Sequence, residues 1–186
     1  MQNPAVFKDP GDQSTWDGMP RVRSFSMNQA VGSEINGQSA DGSHVIGHWL
    51  SGGNGSPPGG QPFRIYLKDG GITAPSPSDL WVLLDEHPNS INDAAFAVQM
   101  PINPARTYFI DVPAKYHNDA CAFAFADGHA EIHKWLKPGV IPPVYWNASS
   151  ASSIGNQLTS VPADPDVLWL ARHTTAPAGG ANVYYP

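Results

Sequence analysis

Tyr116 to Trp135 reads YHNDACAFAFADGHAEIHKW, and this stretch decides the fold. Small and large apolar residues alternate from Ala120 to Ala126, Asp127-Gly128 follows, and a second alternating run extends from His129 to Trp135. Alternation on both sides of Asp-Gly predicts a β-hairpin over 120–135, because a two-residue type I′ turn needs positive φ at both positions and Asp-Gly supplies it. With Asp127 and Gly128 as the loop, Ala126, Ala124 and Ala122 oppose His129, Glu131 and His133. Phe125, Phe123 and Cys121 then oppose Ala130, Ile132 and Lys134 on the other face. The phenyl rings point into a core, and a His-Glu-His row stands beside three methyl groups with open volume above it. Solvent, another chain segment, a metal or a ligand could fill that volume.

Working outward, the 186 residues fit a single domain over 1–186, with an extended tail over 174–186. Glycine (18) and proline (19) make up about a fifth of the chain, which favours short strands and long ordered loops over a helical bundle. The apolar fraction is only 41%, but six Trp, six Tyr and seven Phe supply enough bulk for a core. A net charge of −6 and the lack of any Lys/Arg cluster argue against nucleic acid as a partner. The longest apolar run, Ala120 to Ala126, is far short of the ~20 residues needed to span a bilayer, so no membrane insertion is expected. Cys121 is the one cysteine, which excludes an intrachain disulfide and, on the core face, makes it an inert thiol.

The segment before Met19 is polar and turn-rich, including Asp9-Pro10-Gly11-Asp12 and Trp16-Asp17-Gly18. Arg21 to Val31 alternates as a strand with Val22, Phe25 and Met27 as candidate core residues. Val45 to Leu50 is short and apolar, Ser51 to Gln61 is a loop, and Phe63 to Leu67 alternates as a strand. Leu80 to Asp85 is apolar enough to be buried on both faces, hence central in a sheet. Ile91 to Met100 has mixed periods, and Arg106 to Val112 is strand-like. Asp164 as N-cap with Pro165 at the first helical position opens a short C-terminal helix. The expected fold is α+β and mostly β: an antiparallel sheet with 80–85 central, the 120–135 hairpin beside it, Gly/Pro loops and one helix.

Several residues could carry chemistry. His129 and His133, with His117 nearby, have the spacing of a metal site. Residues two apart on a strand lie roughly 6.5–7 Å apart on one face, and Zn²⁺ takes N and O ligands. The bland alternative is a solvated polar strand face. Asp127 is a turn residue first and a metal ligand second. Asp85 and Glu86, at the end of a buried strand, could act as acid and base in glycoside hydrolysis with Glu131 and His129. Neighbours on one strand face opposite sides, so Asp85 and Glu86 are not that pair together; one of them with Glu131 or Asp127 is geometrically more reasonable, and strand-end capping is the simpler role. Asp93 and Asp111 add hard oxygen ligands. Exposed Trp faces bind sugars, and Trp49, beside the Gly-rich loop, is the candidate for a glycan partner. No Gly-x-Ser-x-Gly elbow is present.

His117, nine residues and then Asp127-Gly128 form the H-x9-DG signature, and the chain resembles the prepilin-type, pseudopilin-like proteins named for it. Arg23 to Asn28, Leu84 to Asp93, and Asp166 to Leu170 with Thr174-Thr175 are similar to family segments in the same order, so the resemblance covers about residues 5 to 175. Where many members carry Cys-Pro-x-Asp, this chain has Asp9-Pro10-Gly11-Asp12. The family's leader and long apolar N-terminal helix are not in this sequence, so assembly by the usual pilin route is not expected of it. The resemblance implies an extracytoplasmic head that binds or assembles with pilus-like partners. Ca²⁺ is implied by related heads, with Asp127 as a ligand, and Zn²⁺ by the histidines. The competing expectation is a small glycan-acting hydrolase using His117, His129, Glu131 and His133 with Asp85 or Glu86.

Overall fold

A computed structural model describes residues 4–32, 63–100, 107–149, 153–154 and 162–177. Trp49, the 45–50 run, the 51–61 loop and the chain after Pro177 lie outside the described residues. The fold is α+β and mostly β. Its strands are β1 (Thr15–Trp16), β2 (Met19–Pro20), β3 (Phe25–Asn28), β4 (Trp81–Asp85), β5 (Ala95–Phe96), β6 (Ala120–Phe125), β7 (Ala130–Lys134) and β8 (Asn147–Ala148). One helix, α1 (Pro165–Thr174), follows them. The main sheet has five strands in the order β5-β3-β4-β6-β7, and a small sheet has the order β2-β1-β8. All neighbours in the main sheet are antiparallel except β3 and β5. β4 is central, as its composition predicts.

The hairpin forms, but its register is one residue away from the expected one. Phe123 pairs with Glu131, Cys121 with His133 and Ala122 with Ile132. The amide of Phe125 donates to His129 O at 2.9 Å and that of Gly128 to Phe125 O at 3.0 Å, which leaves a three-residue loop, Ala126-Asp127-Gly128. Gly128 has φ +93°, while Asp127 stays out of the left-handed region. This is the three-residue hairpin that ends in a glycine bulge. Three hydrogen bonds select it. The Asp127 carboxylate accepts the His129 amide at 3.1 Å, and the amides of Ala126 and Asp127 donate to Leu80 O and Pro77 O at 2.9 and 3.1 Å. The two-residue type I′ turn occurs instead between β1 and β2, where Asp17 and Gly18 have φ of +48° and +80°. Because side chains alternate, the slip exchanges faces. The His-Glu-His row shares its face with Cys121, Phe123 and Phe125, and the alanines share theirs with Ile132.

β3 also inverts its expected polarity. Val22 and Met27 are 71% and 45% exposed, whereas Ser24, Ser26 and Asn28 are buried. The inward polar groups are partnered, which removes the penalty of burying them. Ser24 donates to Asp12 Oδ2 at 2.6 Å and Ser26 donates to Glu86, and the Asn28 side chain bonds the backbone of Trp81, Ala30 and Thr174. A bulge in β4 between Trp81 and Leu83 places both Val82 and Leu83 opposite Ala124, so they are half-buried on the outer face. β4 is therefore fully covered on one face only. The predicted strand at 63–67 and the described part of the one at 106–112, residues 107–112, form no ladder. Phe63 and Tyr66 form isolated bridges to Pro177 and Val31, and described residues 107–114 are buried coil.

α1 starts where predicted. The Asp164 carboxylate accepts the Asp166 and Val167 amides at 3.0 and 3.3 Å, and Pro165 occupies the first turn. Its buried side (Val167, Leu170, Ala171, Thr174) covers the inner face of the main sheet, where Trp81, Leu84, Phe96, Phe123 and Trp135 form the centre of the core. Just past the helix, Ala176 O accepts the Arg64 amide at 2.9 Å, so the chain is held to the body as far as the Phe63–Pro177 bridge.

Candidate functional site

The histidines of the hairpin pack on aromatic rings. His129 stacks flat on Phe125 (4.4 Å between centroids, 4°), and its Nδ1 is 2.6 Å from Asp127 Oδ1. His133 stacks on Trp169 at 3.6 Å, and His173 stacks on the same indole at 4.2 Å. Burial holds the His133 imidazole below its usual pKa. Half-buried and stacked by two imidazoles, Trp169 is no open platform for a sugar. Glu131 is exposed on β7, at the edge of the sheet. Asp85 and Glu86 are wholly buried. The residues that a two-carboxylate hydrolase would need thus stand in different environments.

His117 is drawn elsewhere. Its Nε2 lies 3.0 Å from Asp9 Oδ2 and 3.6 Å from Asp85 Oδ2. Asp9, Asp85 and His117 are the one set of three His, Cys, Asp or Glu among the described residues whose donor atoms lie within 4.8 Å of one another. Three pieces of chain meet here: the N-terminal Asp9-Pro10-Gly11-Asp12 turn, the end of central strand β4, and the residue that leads into the hairpin. The Gly11 amide donates to Asp9 Oδ1 at 2.6 Å, which leaves Oδ2 facing the imidazole. A Cβ on Gly11 would stand 3.0 Å from Asp9 Oδ1 and 3.3 Å from His117 Cε1, so a side chain there would crowd both and one of them would have to give way.

Neither Asp85 oxygen has a hydrogen-bond partner, although the residue is fully buried. The Ala122 amide favours the ionised form without meeting hydrogen-bond geometry. Burial, with Asp9 and Asp12 adding repulsion, pushes the Asp85 carboxyl up to about 7. The Tyr116 hydroxyl is also buried without a partner, and burial plus the charges of Asp85, Asp12 and Asp9 drive its pKa far up. Cys121 donates its S–H to Asp85 O at 3.2 Å, and burial raises its thiol pKa well above the usual value, consistent with an inert thiol. Asp9 and Tyr116 carry no motif that marks them in the sequence. The Pro-Gly turn between Asp9 and Asp12 is the only available signal.

A second buried carboxylate cluster lies on the other side of β4. Burial, reinforced by Asp111, raises Glu86 to about 8, and burial, reinforced by Asp93, raises Asp111 to about 7. The Arg23 guanidinium donates to Phe25 O at 2.9 Å and Ser26 Oγ at 2.8 Å, and it also donates to Asp93 O. Asp111 Oδ2 accepts the Ala97 amide at 2.6 Å, and Oδ1 has no partner. The folded-state pKa of Asp111, about 7, lies above the ordinary value of 3.8 for an aspartate carboxyl. The folded chain therefore keeps a proton that the unfolded chain releases, and stability falls as pH rises from about 4 to 7. Asp111→Asn removes this loss while retaining an acceptor for Ala97. We expect it to melt about 3–8 °C above wild type at pH 8, a gain of ~1–2 kcal/mol, and close to wild type near pH 4. Thermal melts followed by circular dichroism at the two pH values check this. An equal change at both would assign the effect to packing instead.

No described helix is long and apolar enough to cross a membrane. Comparison with protein-family models, with curated proteins and with solved structures finds no match.

Proposed function

We propose that the chain is a non-catalytic, pseudopilin-like head that works by binding and assembly in an extracytoplasmic compartment. The observation that carries this reading is the outer face of the five-stranded sheet. Met27, Leu83, Ala124 and Ala130 are successive cross-strand partners on that face, with Val82 beside them at the bulge and Ile132 one pair further along the hairpin. Met27 is 45% and Ile132 63% exposed. Apolar side chains spread over adjoining strands on an open face form a surface for another chain rather than for water. The H-x9-DG residues support the reading as architecture. His117 holds the N-terminal turn to the end of β4, and Asp127-Gly128 closes the hairpin that carries half of the outer face.

Analytical ultracentrifugation tests the assembly. Concentration-dependent self-association is expected, and Ile132→Asp should abolish it while leaving the circular dichroism spectrum unchanged. A monomer at every concentration sinks the assembly reading. A parallel panel of chromogenic glycosides and esters should show no turnover. Turnover that disappears in Glu131→Ala would replace this reading with the hydrolase.

A further inference from the structure

We propose that Asp9, Asp85 and His117 form a buried site for a single divalent cation of the Zn²⁺ class. The inference stands apart from the assembly reading and does not depend on it. The first argument is electrostatic. Asp85 has no exposed surface and neither of its oxygens has a hydrogen-bond partner, yet Oδ2 points at His117 Nε2 3.6 Å away, beside a second carboxylate. A buried carboxylate without a partner is costly, and a cation between these groups supplies what the protein does not.

The second argument is geometric. Two ligand atoms at ~2.05 Å from a tetrahedral ion are about 3.3 Å apart. The separations of 3.0 Å (His117 to Asp9) and 3.6 Å (His117 to Asp85) bracket that value. One imidazole and two carboxylates suit a borderline ion that accepts both nitrogen and oxygen. Ca²⁺ would ask for six to eight oxygens, more than this cluster provides. The buried, unpartnered Tyr116 hydroxyl lies in the field of the same carboxylates.

The third argument is the support around the ligands. The Gly11 amide fixes Asp9 Oδ1 at 2.6 Å and so aims Oδ2 at the site, the outer-shell hydrogen bond that metal carboxylates characteristically carry. The His117 side chain is 29% exposed while Asp85 is fully covered, which gives the ion a path in along the imidazole. An occupied site would pin the N-terminal turn to the central strand.

The test uses the chain stripped with a chelator and titrated calorimetrically with ZnCl₂, CoCl₂, CaCl₂ and MgCl₂. One Zn²⁺ per chain is expected, with a rise in melting temperature, a visible d–d band for Co²⁺, and Ca²⁺ and Mg²⁺ weaker by at least ~100-fold. Asp85→Asn should lower Zn²⁺ affinity ~100-fold or more. Gly11→Val keeps all three ligands but crowds Asp9 and His117, and it should weaken binding similarly, so the test survives if Asp85→Asn fails to fold. His173→Ala should bind as wild type. Absence of stoichiometric Zn²⁺ binding overturns the proposal and leaves an Asp-His-Asp ion-pair latch. So does binding that persists in both Asp85→Asn and Gly11→Val, binding lost in His173→Ala, or a preference for Ca²⁺.

Discussion

Trp81→Ala should cost about 4 kcal/mol of folding stability, measured as a shift of the urea midpoint at unchanged m-value. Among the described residues Trp81 is the largest fully buried side chain, and it sits on the central strand. Its ring packs edge-on against Phe96 at 5.9 Å and Phe123 at 6.1 Å. Its Nε1 donates to Thr174 Oγ1 at 3.0 Å, and that hydroxyl donates to Leu170 O at 2.7 Å, so the indole joins the sheet to the end of α1. Alanine loses the transfer energy of the indole and leaves a cavity that flanking strands cannot close. Against a total stability of roughly 5–15 kcal/mol, such a loss brings the chain near its unfolding threshold at body temperature. A change below ~1 kcal/mol would show that Trp81 does not organise the core.

Asn28→Ala should cost about 3 kcal/mol, out of proportion to the few atoms removed. The Asn28 carboxamide donates to Trp81 O at 2.8 Å and Thr174 O at 2.9 Å, and it accepts the Ala30 amide at 2.8 Å. Truncation leaves two carbonyls and one N–H in the interior without partners, and each costs roughly 1–3 kcal/mol less whatever rearrangement recovers. Asn28→Asp should do worse, since it turns a carboxylate toward two carbonyl oxygens. The neighbour Met27, exposed on the outer face, is the internal control: Met27→Ala should change stability by under ~0.5 kcal/mol. Urea denaturation of the three variants checks the ranking, and equal losses at positions 27 and 28 would refute the inward placement of the carboxamide.

The fold was legible wherever a local signal outweighed tertiary context. Asp164-Pro165 starts α1 at the expected residue, and the alternation of 120–125 and 130–134 gives the hairpin. The register was not legible, because the choice between a two- and a three-residue loop depends on Leu80 and Pro77 accepting the amides of Ala126 and Asp127 from another part of the chain. β3 misleads for a related reason. Apolarity marks Val22 and Met27 as core, but Ser26 and Asn28 go inside because Glu86, Trp81 and Thr174 supply partners far along the sequence. Of the cation cluster, His117 and Asp85 stand out from their own motifs. Asp9 is 108 residues from His117, and only the folded chain brings them together.

The hairpin loop has a consequence for natural variation in length. Cross-strand partners share a face of the sheet whatever the length of the loop between them, so an insertion that keeps Phe125 paired with His129 would only alter the tip. An insertion that moves the pairing by one residue would turn β7 over. Ile132 would then lie against Trp169, and His133 would sit among the alanines. Relatives of this chain should therefore vary in length inside the loop and keep the pair at its base, which an alignment of gap positions would expose directly.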